Sequence, residues 1–453
     1  MTRPGCRRSF GAGRVLAVLV LLAAAPLQAE DLVSVYRLSL ENDAVIRAAA
    51  AERRATLESR PQARALLLPT FSLSADYSRG RNKVISSDSP FFQPQTVEFW
   101  TRGFTLTLNQ PVYNREFLAR LKQADAIVKG ADARFAAAQQ ALIRRVAEGY
   151  FNVLAAMDNL AFAEAEKNAN LRQLEQARQR FEVGLIAITD VHESQAAFDA
   201  ARALEIEARN QLSSAREALR VITGRYHETL ATLAEDIPLV TPAPRDIEAW
   251  AQRAMTQNFG VIAAEYQVEV ARKEVERRRS GHYPTLDIAG RHNYQDVDDG
   301  FFGGRETEDS SIGLVLNLPL YQGGGVSAGV REAVQRLEQA KEELEQQRRE
   351  VLRQARDAYL SILSGIETVK ARKQAVVSAQ SALEATEAGL EVGTRTTVDV
   401  LNVRRNLFRS ERDYASSRYT YILDLLRLKE AAGALTMADL EEINEWLASK
   451  SKQ

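Results

Sequence analysis

The chain has 453 residues, with 59 basic and 60 acidic side chains, one cysteine and 7% aromatic residues. This balance offers no basic surface for nucleic acid, and a single cysteine excludes an intrachain disulfide. A long chain rich in Ala, Gln, Glu and Arg and poor in aromatics suits extended helices better than one compact globule.

Residues 1–29 read as a secretory leader. Arg3, Arg7, Arg8 and Arg14 are followed by an apolar run from Val15 to Ala25, then Pro26 and the small Ala29 before Glu30. Removing it takes four arginines and no acid, so 59 basic residues become 55 against 60 acidic ones, a formal charge of −5. Cys6 leaves with the leader, so thiol chemistry is not expected of the mature chain. Beyond residue 29 no stretch reaches the roughly 18 continuous apolar residues of a spanning helix. Entry into a membrane is therefore expected by strands.

The rest of the chain is written twice. Tyr150 and Tyr359, Gly184 and Gly393, Asp190 and Asp399, and Gly224 and Gly433 are each separated by 209 residues. The first repeat is expected over 30–237 and the second over 238–453, joined by the stretch around Pro238, Pro242 and Pro244. Each repeat reads as a helix, two strands and two long helices.

In the first repeat, Phe71, Leu73, Ala75 and Tyr77 alternate with Ser72, Ser74, Asp76 and Ser78, and Phe104, Leu106 and Leu108 alternate with Thr105, Thr107 and Asn109. That period of two predicts strands at about 69–78 and 102–111, each with one apolar face. In the second repeat the pattern around Leu286 and Ile288, and from Ile312 to Leu318, predicts strands at about 285–294 and 310–319. Pro69, Pro111, Pro284 and Pro319 bracket the strands. Segments of nine or ten residues have the length of a tilted membrane strand, and four strands are too few to close a barrel, so subunits are expected to pool them. The loops Arg79–Phe99 and Gln295–Ser311 would face outward. They carry the pairs Phe91-Phe92 and Phe301-Phe302, and the second carries Asp296, Asp298, Asp299, Glu306, Glu308 and Asp309.

Helical hairpins follow, over about 115–224 and 326–433. No proline interrupts Arg115 to Phe181 or Val326 to Leu390. Roughly 65 residues at 1.5 Å each give about 100 Å of helix. Gly184 and Gly393 offer left-handed C-caps, and Thr189-Asp190 and Thr396 to Asp399 offer starts for the return helices. Intermixed Ala, Gln, Glu and Arg suit helices packed side by side into a wall with water on one face. Gly323-Gly324-Gly325-Val326-Ser327-Ala328 formally fits a dinucleotide fingerprint, but the strand before it is amphipathic and the helix after it too long. It reads as a strand-to-helix corner. His192, His227, His282 and His292 show no metal spacing and no nucleophile motif appears, so neither enzyme activity nor a cofactor is expected.

Several segments together resemble the TolC family of outer-membrane efflux proteins, over essentially the whole mature chain. They are Tyr150 to Leu154, Arg180 to Leu185, Ala187 to Val191, Leu320 to Gly324, Lys373 to Gln380 and Val392 to Thr396. The resemblance implies a mostly α fold with a small β part, in a homotrimer. A 12-stranded β-barrel in outer-membrane lipid would continue into a 12-helix tunnel across the periplasm of a Gram-negative cell, with an equatorial belt from 225–250 and 430–447. It implies an exit duct for multidrug efflux or type I secretion. A periplasmic adaptor and an inner-membrane RND, ABC or MFS transporter would be its partners, and the mouth would open by an iris-like movement of the helix tips.

The same resemblance places functional residues. Asp399 would form a pore ring at the periplasmic mouth, where like charges attract cations and raise one another's pKa. Asn402 stands where relatives carry a second Asp, which weakens the trap. From the residues alone, Asp399 equally reads as the partner of Thr396 in a capping box. Arg395 would latch onto Thr189 and Asp190 of a neighbouring hairpin, and Gln173 with Glu387 would form a second latch. Leu390 replaces a latch tyrosine and cannot donate a hydrogen bond. Val183, Gly184 and Leu185, with Val392, Gly393 and Thr394, would be the tip motifs that meet the adaptor. The competing reading is a coiled-coil surface protein such as an adhesin stalk, against which the strands and the tip motifs speak.

Overall fold

The computed structural model describes residues 29–86, 88, 94–300 and 303–447. The expected leader lies outside these residues but for Ala29, as do Phe91, Phe92, Phe301 and Phe302. In chain order the elements of the first repeat are α1 (Leu32–Asn42), α2 (Ala44–Leu57), α3 (Ser59–Ala65), β1 (Thr70–Lys83), β2 (Thr96–Tyr113), α4 (Arg115–Glu182) and α5 (Ile188–Thr223). Those of the second are α6 (Ile247–Gln257), α7 (Phe259–Arg279), β3 (Thr285–Asp298), β4 (Arg305–Asn317), α8 (Gly325–Glu391), α9 (Thr397–Ala431) and α10 (Met437–Asn444). The chain is mostly helical with one small sheet.

The helix expected ahead of each strand pair is interrupted for a local reason. Asp43 ends α1 and caps α2 by accepting from Val45 N, and Asn258 ends α6 and caps α7 by accepting from Gly260 N and Val261 N. The two long helices have 68 and 67 residues and each packs antiparallel on its return helix, α4 on α5 and α8 on α9. In the N-terminal part of α4 the buried positions are small, including Ala119, Ala124 and Ala131, which lets neighbouring backbones approach.

The large buried side chains gather halfway along the long helices. Tyr150, Phe151, Leu142, Ile362 and Tyr421 meet Leu230, Leu233, Trp250, Leu440 and Ile443 there. The Tyr150 hydroxyl donates to the Ala231 carbonyl at 2.7 Å, and the Tyr421 hydroxyl accepts from Val240 N at 2.7 Å. Each tyrosine thus fixes an irregular segment to the helices. Both ends of the described region arrive here: Glu30 pairs in parallel with Leu230, and Leu233 antiparallel with Leu447.

At one end of the long helices lies a four-stranded antiparallel sheet in the order β1-β2-β3-β4, so β1 and β4 are open edges. Register places Phe71, Leu108, Gly290 and Ile312 in one row, and Leu73, Leu106, His292 and Ser310 in the next. Ser72, Thr107, Arg291 and Ser311 share a row on the opposite face. One face is therefore largely apolar and the other polar. The apolar face ends in aromatic pairs, Tyr77 stacked on Trp100 at 5.1 Å and Phe104 on Tyr294 at 5.5 Å, the residues favoured where hydrocarbon gives way to water.

The strands run to 14, 18, 14 and 13 residues, longer than the nine or ten expected. Polar pairs carry the ladder onward after the apolar alternation stops: Arg102 reaches Asp296 at 2.6 Å, and the Tyr294 hydroxyl donates to Glu306 at 2.6 Å. The expected outer loops shrink accordingly. Asp296, Asp298, Glu306, Glu308 and Asp309 are strand residues, and only Asp299 stays in the turn. Pro111 sits inside β2 rather than beyond it, next to a register shift between Pro111 and Tyr113 that spares the ladder its missing N–H. Gly323 and Gly324 take φ of +61° and +81° and turn the chain from sheet to α8, as a corner there requires.

Gly393 and Gly433 both have positive φ, +77° and +67°, but their surroundings differ. A Cβ at Gly393 would meet nothing, whereas at Gly433 it would lie 2.1 Å from the Gln257 carbonyl oxygen. Gly393→Ala should cost about 1 kcal/mol, the penalty of the backbone conformation alone. Gly433→Ala should cost more than about 3 kcal/mol, because backbone must move as well. Thermal unfolding midpoints of the two variants in detergent check the difference.

Candidate functional site at the hairpin tips

The end opposite the sheet is built from one turn used twice. Helix α4 closes through Val183 and Gly184 (φ +77°), with Gly184 N donating to Phe181 O at 2.9 Å and Leu185 N to Arg180 O at 2.8 Å. Helix α8 closes through Val392 and Gly393, with Gly393 N donating to Leu390 O and Thr394 N to Gly389 O. Only glycine holds this conformation without strain. The turns push apolar side chains into solvent: Leu185 is 73% and Val392 is 75% exposed. Thr394 is exposed as well, its hydroxyl donating to the Gly389 carbonyl at 3.1 Å.

The two return helices start differently. Thr396 caps α9 by accepting from Asp399 N at 3.2 Å, while Asp399 Oδ2 accepts from Thr396 N at 2.9 Å. The capping box read from the sequence is therefore present, and its hydrogen bonds hold the Asp399 carboxyl below the usual carboxylate range, helped by Arg395. In the isolated chain this is opposite to the rise that a ring of like charges would bring. For α5 the cap is Ala187, without a side-chain bond, and not Thr189 or Asp190; Asp190 lies in the first turn, its N–H donating to Ala187 O. A carboxylate there favours the helix N-terminus without capping it.

Arg395 N donates to Gly389 O, and its side chain lies over Gly389. Among the described residues of one chain it makes no ion pair with Asp190 and no hydrogen bond with Thr189. Leu390 packs with Leu383, Val400 and Leu407 in a small apolar cluster that holds α8 against α9. Gln173 lies half-buried on α4, and Asn402 is exposed on α9. Within the chain Glu387 is bound not by Gln173 but by Arg404, at 2.6 Å.

Arg404 was not singled out by the sequence. Its other nitrogen donates to the Ala169 carbonyl of α4 at 3.4 Å, so it ties the second hairpin to the first close to the tips. It is the last rung of a ladder along the α4–α9 seam. Arg144 pairs with Glu430 at 2.6 Å, the Tyr419 hydroxyl donates to Asp158 at 2.6 Å, and Arg412 stands 3.8 Å from Glu166. Burial raises the carboxyls of Asp158, Glu166 and Glu430, partly offset by these partners. A signal was present: Glu166 and Asn170 interrupt the buried row of α4 that continues through Ala163, Leu174 and Ala177, while α9 carries Arg404, Arg405, Arg409 and Arg412. Among the described residues there is no cluster of metal-ligating side chains, and no helix is long and apolar enough to cross a membrane.

The family model described as outer membrane efflux protein matches residues 35–225 and 250–434. The outer membrane protein TolC of Vibrio cholerae is 39% identical over 94% of this chain and 95% of that protein. The alkaline protease secretion protein AprF of Pseudomonas aeruginosa is 31% identical over 90% and 85%. Among solved structures, the outer membrane channel CmeC of Campylobacter jejuni superposes with a TM-score of 0.76 over 99% of both chains at 14% identity.

Removing the Arg404 side chain should loosen the tip end of the seam without unfolding the waist. Glu387 is partly exposed, so its pair contributes no more than about 1 kcal/mol. Arg404→Ala should speed amide exchange over residues 397–407 by a few fold and leave residues 142–154 unchanged, as read by hydrogen exchange with mass spectrometry.

Proposed function

The chain belongs to the outer membrane efflux protein family, and on that premise we propose that three copies form an exit duct from the periplasm through the outer membrane for efflux or secretion. The observation that carries this reading is a four-stranded sheet with one apolar face and two open edges, continuous with helical hairpins about 100 Å long. Lipid cannot satisfy open edges. Three sheets joined edge to edge give twelve strands, an even number within the range of membrane barrels. The Ser, Thr and Asn rows then face water inside, and the Phe and Leu rows face lipid. Below the barrel, the hairpins of three subunits enclose a twelve-helix tunnel belted at the waist by the segments 225–250 and 430–447. A coiled-coil stalk would have no use for such a sheet.

The hairpin tips form the gate. Asp399 from three subunits rings the mouth, with exposed Asn402 behind it and Asp399 Oδ2 still engaged in the cap. Arg395 reaches Thr189 and Asp190 of the neighbouring subunit. Gln173 adds to the hold on Glu387, and Leu390 contributes packing where a hydrogen bond would otherwise latch. The exposed tips at Val183-Gly184-Leu185 and Val392-Gly393-Thr394 receive a periplasmic adaptor, which brings an RND, ABC or MFS pump and draws the tips apart. AprF is named for protease secretion, and cargo of that kind fits a duct whose selection lies with the pump.

Native mass spectrometry should find a trimer; a detergent-stable folded monomer would overturn the shared barrel. In planar bilayers the protein should conduct, as a stalk would not. Arg395→Ser should raise single-channel conductance, by less than in a relative with a tyrosine at the position of Leu390. Asp399→Asn should shift the reversal potential under a salt gradient toward anions, and an unchanged potential would leave Asp399 as a helix cap only.

A further inference from the structure

The exposed face of α9 carries more positive than negative charge directly behind the proposed ring. Val400, Leu407, Ala415 and Ile422 are buried and define the side of α9 that meets α8 and α4. At 100° per residue the opposite side runs through Asn402, Arg409, Ser416 and Thr420, and these four are exposed. Seven residues separate Asn402 from Arg409, within about 20° of two full turns, so Arg409 stands on the same stripe about 10.5 Å further in. Asp399 and Arg405 flank that stripe on either side.

The four arginines of this segment divide into two pairs. Arg404 is bonded to Glu387 and Ala169, and Arg412 faces Glu166. Arg405 and Arg409 are exposed and, among the described residues, enter no ion pair or hydrogen bond. The next acid on the stripe, Asp413, is held by Arg372 at 2.7 Å and does not offset them. Each chain therefore brings one carboxylate, already engaged by Thr396, the guanidinium of Arg409, and that of Arg405, whose charge also acts on the buried Glu166; both guanidinium groups stay charged at any working pH. Arg405 and Arg409, about one turn apart on α9, lie within about one Debye length of each other. A narrow low-dielectric passage focuses such charges on whatever ion passes.

We propose that Arg409, supported by Arg405, forms a cationic ring immediately inside the mouth and makes this duct favour anions over cations, the reverse of what Asp399 alone would set. The inference rests on the reading of the Asp399 and Asn402 face as the lining of the mouth. It assigns this chain a preference for anionic solutes at the point of entry.

The test is the chloride-to-potassium permeability ratio of the purified full-length protein in planar bilayers under a KCl gradient. The wild-type ratio should exceed one. Arg409→Gln should lower it by at least about twofold, and Arg409→Lys, which keeps the charge, should leave it near the wild-type value. Because the one native cysteine lies in the leader, Arg409→Cys and Asn402→Cys give a separate readout. An anionic methanethiosulfonate reagent added to the bath should change the conductance of both in up to three steps. If Asp399→Asn shifts the ratio but Arg409→Gln does not, and Cys at 409 does not react, the mouth is as proposed and the cationic ring is wrong. If neither substitution shifts it and Cys at 402 is also unreactive, the face does not line the mouth and both readings fall. A ratio moved as far by Lys as by Gln means the effect is structural, and the cationic ring is rejected.

Discussion

Helices of nearly seventy residues can be set in register only where something larger than alanine lies between them, and in this chain that place is the waist. Toward the sheet α4 and α8 bury mainly small side chains, such as Ala124, Ala131, Ala333 and Ala340, which permit close approach but allow sliding. Around Tyr150, Phe151, Ile362 and Tyr421 the side chains become large and fully buried, and interdigitation of such groups selects one axial position. Two phenol hydroxyls add direction, because each binds backbone of a segment with few ladder bonds of its own. The sheet at one end and the tips at the other are therefore held as the two arms of a lever with its pivot at the waist.

The two arms are held by different physics. Toward the sheet, α7 lies between α4 and α8, and Arg277 binds Glu274 and Glu116 in a half-buried cluster that keeps the Glu274 carboxyl down at about 2. Toward the tips, α4 and α9 meet through separate rungs between single side chains. Carboxyls at several of these rungs are raised by burial, so the folded state favours their protonated forms. An acid whose pKa is raised on folding contributes stability at low pH that is lost as pH rises through its folded value. The sign is opposite for the Glu274 cluster, whose contribution is present above the ordinary glutamate pKa and lost only as pH falls toward 2.

What was legible in the sequence was what is local. The alternation of Phe71 to Tyr77 marks a strand without reference to anything distant, as Gly184 and Gly393 mark helix ends. The duplication and the tip motifs are likewise short patterns. The strands were read too short because alternation stops after Tyr77 on β1 and starts only at Phe104 on β2 while pairing reaches further out: Arg79, Arg102 and Asp296 continue the ladder with polar side chains. The α5 cap was misplaced because Thr189-Asp190 looks like a start signal, whereas the backbone turns two residues earlier, at Ala187. Of the seam only the parts were legible: the polar break at Glu166 and Asn170 and the arginines of α9 stand in the sequence, but not which of them meet. Arg404 and Ala169 are 235 residues apart, and nothing near either one names the other.

The ends of the chain show one more property of this arrangement. Asn444 donates to Asp31 at 2.9 Å and accepts from Val33 N at 3.4 Å, so the last helix is bonded to the first. From that point the backbone travels to the sheet, down to a tip and back, then does the same again and closes on its own beginning. The described path is a circuit that opens at Glu30 and closes at Leu447, both at the waist. A short linker between residues 30 and 447 would close that circuit into a ring, which could then be opened anew at any exposed turn.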